Sequence, residues 1–409
     1  MKTEAPAYRC KERCATMESH KEILPLVKEI LCGIKPATDI YKYKTDIRNT
    51  NGMKIKTYIK RKALRALMTV MAVLPFIAFV SCDSVIYDSE GDCSVSYRLK
   101  FRYDKNLKWA DAFANEVSSV HLYAFDPSGV LVWQREDRVD PATAENYSMP
   151  LDLPAGDYKL LAWCGLRNDG EREESFSVPE ARIGETRMEQ LQCALNRKHD
   201  ESGAYSEAHL YRLFHGMLDV SLPENEDGGS YDYTMSLTKN TNHIRVILQH
   251  LSGEDVNKAD FIFRIDDENG LMARDNELMA DENINYRPWD IQNVEAGIGK
   301  ENARAVSDVK GLVADFTVGR LIETHREKMI LTITTRDGKT VARIPVIDYA
   351  LMGKEYYENE YRYPMDEREF LDRLDECVMT LFLDENHKWV SSVLQILSWR
   401  VVLSNVEID

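Results

Sequence analysis

The sequence predicts a mostly β protein in which two β-sandwich domains follow an export signal. Short runs of alternating apolar and polar residues recur from Val95 to Ile408, and turn-forming clusters of Pro, Gly, Asp and Asn separate them. No heptad pattern and no repeat of about 20 to 50 residues is present. The 328 residues from Cys82 to Asp409 suffice for two domains, and the Pro/Gly/acidic segment Pro223–Gly229 predicts their boundary, giving residues 82–225 and 226–409.

The first domain opens with a clear alternation. Between Val95 and Tyr103 every second residue is apolar, with Arg98, Lys100 and Arg102 on the other face, so we expect a half-buried strand. The following elements are a hairpin of Val117–Phe125 and Val130–Gln134 around the turn Asp126–Gly129, a hairpin of Tyr147–Leu153 and Tyr158–Leu166 around Pro154–Asp157, and renewed alternation from Leu210 to Val220. Residues 167–208 are polar, and we expect a long surface excursion with one short helix, Arg187–Asn196.

The second domain is also predicted as mostly strands. Its elements are strands at Tyr231–Leu237 and His243–Leu251, a hairpin of Phe261–Ile265 and the segment from Leu271, a hairpin of Met329–Thr335 and Thr340–Ile347, a short helix in Glu367–Cys377, and strands at Val378–Leu383, Trp389–Leu397 and Arg400–Ile408. The Asp337-Gly338 pair in the second of these hairpins suits a type I′ turn.

Residues Met53–Cys82 predict a lipoprotein export signal. A basic segment from Lys54 to Arg65 precedes the apolar run Leu67–Val80, and the small residue Ser81 stands before Cys82. The run would extend about 21 Å as a helix, shorter than the ~20 residues of a membrane span. We expect residues 53–81 to be a cleaved signal peptide and Cys82 to carry a lipid. A buried core helix that ends in cysteine is the alternative.

The segment 1–52 precedes this signal, although export signals stand at the start of a chain. We expect it to be a mis-assigned or disordered leader, with translation beginning at Met53. A cytoplasmic extension is the alternative reading of the same residues.

The charge of the chain argues against nucleic acid as a partner. Residues 1–81 hold 16 of the 52 basic and 7 of the 68 acidic residues, so residues 82–409 retain 36 basic and 61 acidic side chains, a formal charge near −25. Nucleic-acid binding requires clustered cations facing phosphates. A strongly acidic surface instead keeps an exported protein soluble.

Cysteines and histidines offer few sites. Besides Cys82, the exported part contains Cys93, Cys164, Cys193 and Cys377, which could form two disulfides in any of three pairings or stay buried free thiols. We expect no metal and no cofactor. His209 and His215 are too far apart along a strand for a typical metal pair, and the acidic stretches Asp266–Gly270 and Asp384–Asn386 lack the 12-residue calcium loop with a closing Glu.

No pattern predicts an enzyme. The sequence has no Gly-x-Ser-x-Gly elbow, no His-Glu-x-x-His helix, no phosphate-binding loop and no Gly-x-Gly-x-x-Gly. Six tryptophans could stack on sugar rings if one face exposed them: Trp109, Trp133, Trp163, Trp289, Trp389 and Trp399. Most lie in predicted strands, where core packing is the default.

Six segments carry a further pattern: Cys82–Cys93, Tyr97–Tyr103, Leu153–Trp163, Leu213–Gly216, Leu237–Val246 and Phe382–Val390. Together they resemble the FimB-type and Mfa-type fimbrial anchor lipoproteins of type V pili, over nearly the whole chain after residue 81. The resemblance implies two tandem transthyretin-like β-sandwiches, a lipid anchor in the outer membrane, and a non-catalytic role at the fimbrial base that limits filament length.

The resemblance also implies fimbrial pilin subunits as partners, bound by β-strand addition. Arg400–Ile408 is the segment we expect to engage a neighbouring subunit, and the alternative is that it completes its own sandwich. The alternative functions are a surface lipoprotein adhesin that binds glycans or host proteins, and a tip or accessory subunit of the fimbria.

Overall fold

A computed structural model describes residues 95–167, 173–224, 228–296, 309–396 and 399–404. The predicted signal peptide, Cys82, Cys93 and residues 405–409 therefore lie outside the described residues. Within them the helices are α1 (Phe113–Glu116), α2 (Val346–Tyr361) and α3 (Glu367–Arg373), with single 3-10 turns at Ala144–Asn146, Met188–Gln190, Lys258–Asp260 and Glu323–His325. No helix in these ranges has the length and apolar content needed to cross a bilayer.

Strands make up most of the regular structure, so the predicted mostly β class is confirmed. Those before residue 225 are β1 (Val95–Arg102), β2 (Ser119–Phe125), β3 (Leu131–Arg138), β4 (Met149–Pro150), β5 (Gly156–Cys164), β6 (Phe176–Ser177), β7 (Gln192–Leu195), β8 (Lys198–Asp200), β9 (Gly203–Ser206) and β10 (Phe214–Leu222). Those after it are β11 (Gly229–Ser236), β12 (Thr238–Lys239), β13 (Thr241–His250), β14 (Phe261–Asp267), β15 (Leu271–Ala273), β16 (Ile284–Tyr286), β17 (Asp290–Ala296), β18 (Val309–Gly319), β19 (Ile330–Thr335), β20 (Thr340–Pro345), β21 (Glu376–Leu383), β22 (Trp389–Ile396) and β23 (Trp399–Ser404).

The strands form five sheets, which we name A to E. Sheet A has the order β11-β1-β4, sheet B β12-β10-β5-β2-β3, sheet C β15-β7-β6, sheet D β17-β18-β13-β21-β22-β23, and sheet E β20-β19-β14-β16-β9-β8. In sheet D, β13 runs parallel to β21 and antiparallel to β18. Strands from both sides of residue 225 share sheets A, B, C and E. The domain boundary predicted there stays a prediction.

The core explains why the two halves of the sequence pack together. Every residue of β2 is buried, so sheet B is covered on both faces at this strand. Tyr123, Phe125 and Trp163 from one face of sheet B belong to the same apolar cluster as Ile244 and Phe316 of sheet D. The described residues within 96–224 and 230–404 accordingly form one compact unit.

Several predicted elements are confirmed. Strand β1 buries Tyr97, Leu99 and Phe101 and exposes the residues between them. The hairpins β2–β3 and β19–β20 form as expected. The helix expected in Glu367–Cys377 is α3, whose cap is Asp366: its side chain accepts a hydrogen bond from the amide of Glu369.

Two predicted hairpins are wrong. The turn at Pro154–Asp157 connects two sheets, because β4 pairs with β1 in sheet A while β5 pairs with β2 and β10 in sheet B. Likewise β15 does not pair with β14. It pairs with β7, and the partners of β14 are β16 and β19. Alternation predicted the strands but could not identify their partners.

The surface excursion predicted for residues 167–208 is also wrong, since β6 to β9 lie in this range and join sheets C and E. The expected helix Arg187–Asn196 is a single 3-10 turn followed by β7, with Met188 and Cys193 buried. These strands have two to four residues, too few for an alternation to stand out in the sequence.

Helix α2 was not predicted. Its buried residues Val346, Tyr349, Ala350, Gly353 and Tyr357 have helical spacing, which is the signal that could have revealed it. The β19–β20 turn differs from a type I′ turn as well: Gly338 has a φ of 91°, whereas Asp337 has no positive φ. A type I′ turn requires positive φ at both central residues.

Candidate functional site

The first strand lies in the middle of its sheet, with β11 on one side and β4 on the other. The ladder to β4 is short: Arg98 faces Pro150 and Leu99 faces Met149, and the pairing ends there. Strand β4 begins at Met149, so no residue of β4 faces β1 beyond Leu99. Strand β1 therefore continues for three residues beyond the end of its neighbour.

The backbone of β1 has an open edge at this point. The amide of Leu151 donates to the carbonyl of Tyr97 at 2.9 Å, which fixes the residues that point toward β4. In an antiparallel strand every second residue directs its N–H and C=O to the same side. Phe101 therefore directs its backbone groups past the end of β4, whereas Arg102 accepts a hydrogen bond from Leu237 on the opposite side.

Beside this edge lies a groove of about 650 Å³, which we call the β1 groove. Beneath it lies a packed aromatic cluster, in which Phe101 and Phe113 are buried. The ring of Phe101 stacks on Phe113 at 5.8 Å between centroids, and Tyr147 lies 5.7 Å from Phe113 and 6.1 Å from Phe101. Phe113 is held by α1 and Tyr147 follows a 3-10 turn, so the two walls of the groove come from segments outside the sheet.

The rim of the β1 groove is cationic, and the carboxylate of Asp232 holds two of its side chains in position. Lys100 Nζ lies 2.8 Å from Asp232 Oδ2, and Arg98 donates its Nε hydrogen to Asp232 Oδ1 at 2.9 Å. Hydrogen bonds from Lys100 and then Arg98 lower the pKa of Asp232. Arg102 pairs with Asp104 at 3.1 Å. These exposed pairs fix the side chains of β1 across to β11 but contribute little stability.

An open strand edge beside a groove is an arrangement that can bind an extended peptide. The backbone of the peptide pairs with the strand, and alternate side chains enter pockets. The sequence pattern did not predict this groove. The available signal was a pair of aromatic residues, Phe113 and Tyr147, outside any predicted strand interior.

The cysteines contribute no disulfide among the described residues. Cys164, Cys193 and Cys377 are buried free thiols, which was the alternative to disulfide pairing, and burial raises the pKa of each. Thiols in such surroundings are inert. Cys82 and Cys93 lie outside the described residues, so lipidation and any pairing of Cys93 stay predictions.

The two histidines singled out in the sequence do not share a site. His209 stacks on Trp289 with 4.3 Å between ring centroids, and His215 bonds to the carbonyl of Arg274 at 2.8 Å. Within the described ranges, no group of three or more His, Cys, Asp or Glu side chains could hold a metal ion. In the acidic turn at Asp384, the carboxylate accepts hydrogen bonds from the amides of Asn386 and Lys388 and so stabilises the turn itself.

The C-terminal strand pairs within its own sheet. Residues 399–404 form β23, which runs antiparallel to β22 at the end of sheet D. The alternative stated for Arg400–Ile408, completion of its own sandwich, is thus the arrangement seen for residues 400–404. Engagement of a neighbouring subunit by this segment stays a prediction.

Comparison with known proteins identifies relatives of the whole β region. The family model described as "Mfa2: Fimbrillin-A associated anchor proteins Mfa1 and Mfa2" matches residues 89–405. The minor fimbrium anchoring subunit Mfa2 of Porphyromonas gingivalis is 25% identical over 303 residues, which cover 73% of this chain and 84% of that protein.

Solved structures share the fold. A protein named as a candidate adhesin from Bacteroides thetaiotaomicron superposes with a TM-score of 0.64 at 31% identity, covering 76% of this chain and 99% of its own. The fimbrial anchor protein Mfa2 from Porphyromonas gingivalis superposes with a TM-score of 0.53 at 18% identity, covering 76% of this chain and 100% of its own. The second likeness concerns the fold alone.

Proposed function

Since the chain belongs to the family of fimbrillin-A associated anchor proteins Mfa1 and Mfa2, we propose that it anchors a fimbria to the outer membrane through a lipid on Cys82 and limits the length of the filament. Family membership confirms the resemblance identified in the sequence and gives the protein a fimbria-associated role at the cell surface. The lipid, the outer membrane and the control of length are the proposed part.

The central position of β1 carries the proposal. Val95 begins β1 only 13 residues after Cys82, and β1 is bonded on both sides within sheet A. A chain that keeps its first strand in the middle of a sheet keeps its tether attached to the folded body. Lipids at Cys82 would then hold the whole protein at the membrane, since each buried CH₂ contributes about 0.8 kcal/mol and two or more chains suffice for stable anchoring.

We further propose that a fimbrial subunit binds in the β1 groove by strand addition. The open backbone edge at Phe101 supplies hydrogen bonds, and the packing of Phe101 on Phe113 and Tyr147 holds that edge in place. The cationic rim favours an acidic or polar flank on the incoming segment. The outer edge of β23 is a second place where backbone pairing could occur, because β23 ends the order of sheet D.

Two experiments test the anchor. Mass spectrometry of the exported protein is expected to show an acylated Cys82 as the first residue, and an intact segment 53–81 would contradict the proposal. Cells that carry Cys82→Ala are expected to shed fimbriae into the medium, as measured by immunoblot of cell-bound and released fractions. Fimbriae that stay attached in that variant would contradict a role of the lipid.

The binding site is tested by filling the groove. Asn115 is exposed on the wall of the β1 groove, so Asn115→Trp should block an incoming strand and reduce co-purification of fimbrial subunits. Asn283→Trp, at an exposed position outside the groove lining, is the matched control. Undiminished co-purification with Asn115→Trp would exclude the groove. Loss of it only on deletion of residues 400–409 would assign binding to the C-terminal segment.

A further inference from the structure

Trp109 is the most exposed tryptophan among those whose side chains the structure describes. It is 41% exposed, whereas Trp163 is buried and Trp133, Trp289 and Trp389 are partly buried. The core packing expected for most tryptophans thus does not apply to Trp109. Its position in the loop between β1 and α1 places it outside the β1 groove lining.

Trp109 belongs to an exposed aromatic cluster, which we call the Trp109 cluster. Its ring meets Tyr363 edge-on at 4.5 Å between centroids, and its indole N–H donates to the hydroxyl of Tyr357. Tyr361 stacks on Tyr357 at 4.7 Å. Tyr361 and Tyr363 are 53% and 41% exposed, so three ring systems of the cluster reach solvent.

The rings are held in fixed orientations. The guanidinium of Arg373 lies 3.6 Å from the centroid of the Trp109 ring. Arg373 itself donates to Glu369 Oε1 at 3.0 and 2.9 Å and to the carbonyl of Asp104 at 3.1 Å. The Tyr357 hydroxyl donates to the carbonyl of Leu107 at 2.9 Å. A ligand that binds here need not order these side chains, which lowers the entropic cost of binding.

The backbone that presents the rings is unusual as well. Among the described residues, four that are not glycine have positive φ, and two of them, Trp109 (54°) and Arg362 (53°), belong to this region. The left-handed residue Arg362 ends α2 and turns the chain so that Tyr361 and Tyr363 flank it. Such conformations are costly for bulky residues and concentrate at functional positions.

A second feature lies beside the cluster. A groove of about 380 Å³ is lined by Arg373, whose guanidinium lies over the Trp109 ring, by Lys108, and by Arg245, Asp375 and Glu376. Its volume falls in the range of about 300–1,000 Å³ of small-ligand sites. Arg245 is fixed by Asp315 and Asp375 by Tyr103, so donors and acceptors stand at set positions along the groove.

We propose that the Trp109 cluster and the adjoining groove bind a carbohydrate chain. The apolar C–H face of a pyranose packs on an aromatic ring, while its hydroxyl groups both donate to carboxylates and accept from guanidinium or ammonium groups. The cluster supplies the rings and the groove supplies both kinds of polar group. This binding activity is separate from the anchor function and does not depend on it.

The residues around the Trp109 cluster do not suit a protein interface. The residues between and beside the exposed rings, such as Glu360 and Arg362, are charged and exposed, whereas the centre of a protein interface is depleted of charge. A sugar bound on rings with polar neighbours leaves those charges in water. The same composition that disfavours a dry interface is therefore compatible with a carbohydrate.

The test uses the full chain purified in detergent and a panel of maltohexaose, cellohexaose, xylohexaose, mannohexaose and a heparin hexasaccharide. Binding is measured by calorimetry and tryptophan fluorescence at probe concentrations up to about 10 mM, so that a Kd as weak as about 1 mM is detected. We expect at least one probe to bind, Trp109→Ala and Tyr363→Ala each to weaken it about fivefold or more, and Trp109→Phe to keep most of the affinity.

Ile262→Ala is the matched control, because Ile262 is 45% exposed on β14 and lies outside the cluster. Thermal unfolding of each variant excludes a loss of fold, and Tyr363→Ala serves if Trp109→Ala does not fold. No binding of any probe, or equal binding by Tyr363→Ala and the wild type, would overturn the proposal. Loss of fimbrial-subunit capture by these variants without sugar binding would instead identify a protein-docking surface.

Discussion

Arg320 and Asp372 form a buried bidentate ion pair that ties the end of β18 to helix α3. Arg320 Nη2 lies 2.7 Å from Asp372 Oδ1 and 2.9 Å from Oδ2, and Nε lies 2.9 Å from Oδ1. The two side chains are 6% and 14% exposed. Arg320 also donates to the carbonyl of Asn276, so a third segment depends on the same guanidinium.

Removing one partner of this pair is expected to destabilise the fold strongly. Asp372→Ala leaves a buried guanidinium without its counter-charge, and we expect the free energy of unfolding to fall by about 3–5 kcal/mol in urea denaturation. Asp255→Ala removes one of the two exposed carboxylates beside Lys310, the other being Glu295, and should have a far smaller effect. Equal effects of the two changes would show that burial of the Arg320 pair has no energetic consequence.

Adjacent residues of β1 are expected to differ sharply in their contribution to stability. Leu99 has no exposed surface, so Leu99→Ala should lower the free energy of unfolding by about 2–5 kcal/mol through the cavity it leaves. Arg98→Ala removes an ion pair with 47% and 37% exposed side chains and should change it by at most about 1 kcal/mol. Chemical denaturation measures both. A comparable loss with Arg98→Ala would contradict the surface character of the cationic face.

His243 is expected to stabilise the protein below neutral pH and to lose this effect in alkaline solution. Burial alone lowers the pKa of His243, but hydrogen bonds to Asp315 and Glu376 outweigh it and raise the pKa from 6.5 to about 9. The charged form is thus favoured by folding. The stabilising effect is fully present below pH 6.5 and is lost as the pH rises through about 9.

The measurement is the difference in free energy of unfolding between the wild type and His243→Gln along this pH range. We expect the difference to shrink toward alkaline pH. A difference that stays constant would mean that Asp315 and Glu376 do not stabilise the imidazolium in solution.

His215 is expected to stabilise the protein near neutral pH and to lose this effect in acidic solution. Burial lowers its pKa from 6.5 to about 4, so the folded protein keeps a neutral imidazole while the unfolded chain takes up a proton. The contribution of neutral His215 to the free energy of unfolding is fully present above pH 6.5 and is lost as the pH falls toward about 4. Thermal unfolding across this interval should show a smaller decline for His215→Gln than for the wild type, and parallel declines would refute the assignment.

Two glycines with similar backbone angles are expected to respond differently to alanine. Gly165 has a φ of 85°, and a Cβ there would lie 1.9 Å from the carbonyl oxygen of Arg212. Gly338 has a φ of 91° but open space around it. We expect Gly338→Ala to cost about 1–3 kcal/mol from the left-handed backbone alone, and Gly165→Ala to cost distinctly more because the backbone must move. Equal losses in denaturation would exclude the contact with Arg212.

The sequence predicted those features that depend on local pattern. Strand β1 and the β2–β3 hairpin follow from alternation and turn residues. The pairing of β4 with β1, however, depends on which sheets face each other, and the two-residue β4 gives no pattern of its own. Helix α2 starts directly after β20 and contains Gly353 and three consecutive polar residues at 358–360, so its apolar spacing is diluted. The β1 groove exists only because β4 is short, and the periodicity of the sequence does not indicate the length of β4.

The position of β1 determines how the folded protein responds to mechanical force. Tension that enters the chain before Val95 is directed along a strand bonded to β11 on one side and to β4 on the other. Removing β1 from its sheet breaks hydrogen bonds on two sides, whereas removing an edge strand such as β23 breaks them on one side only. Resistance to extraction of β1 should therefore exceed that of β23, and pulling on opposite ends of the chain should unfold the C-terminal edge of sheet D first.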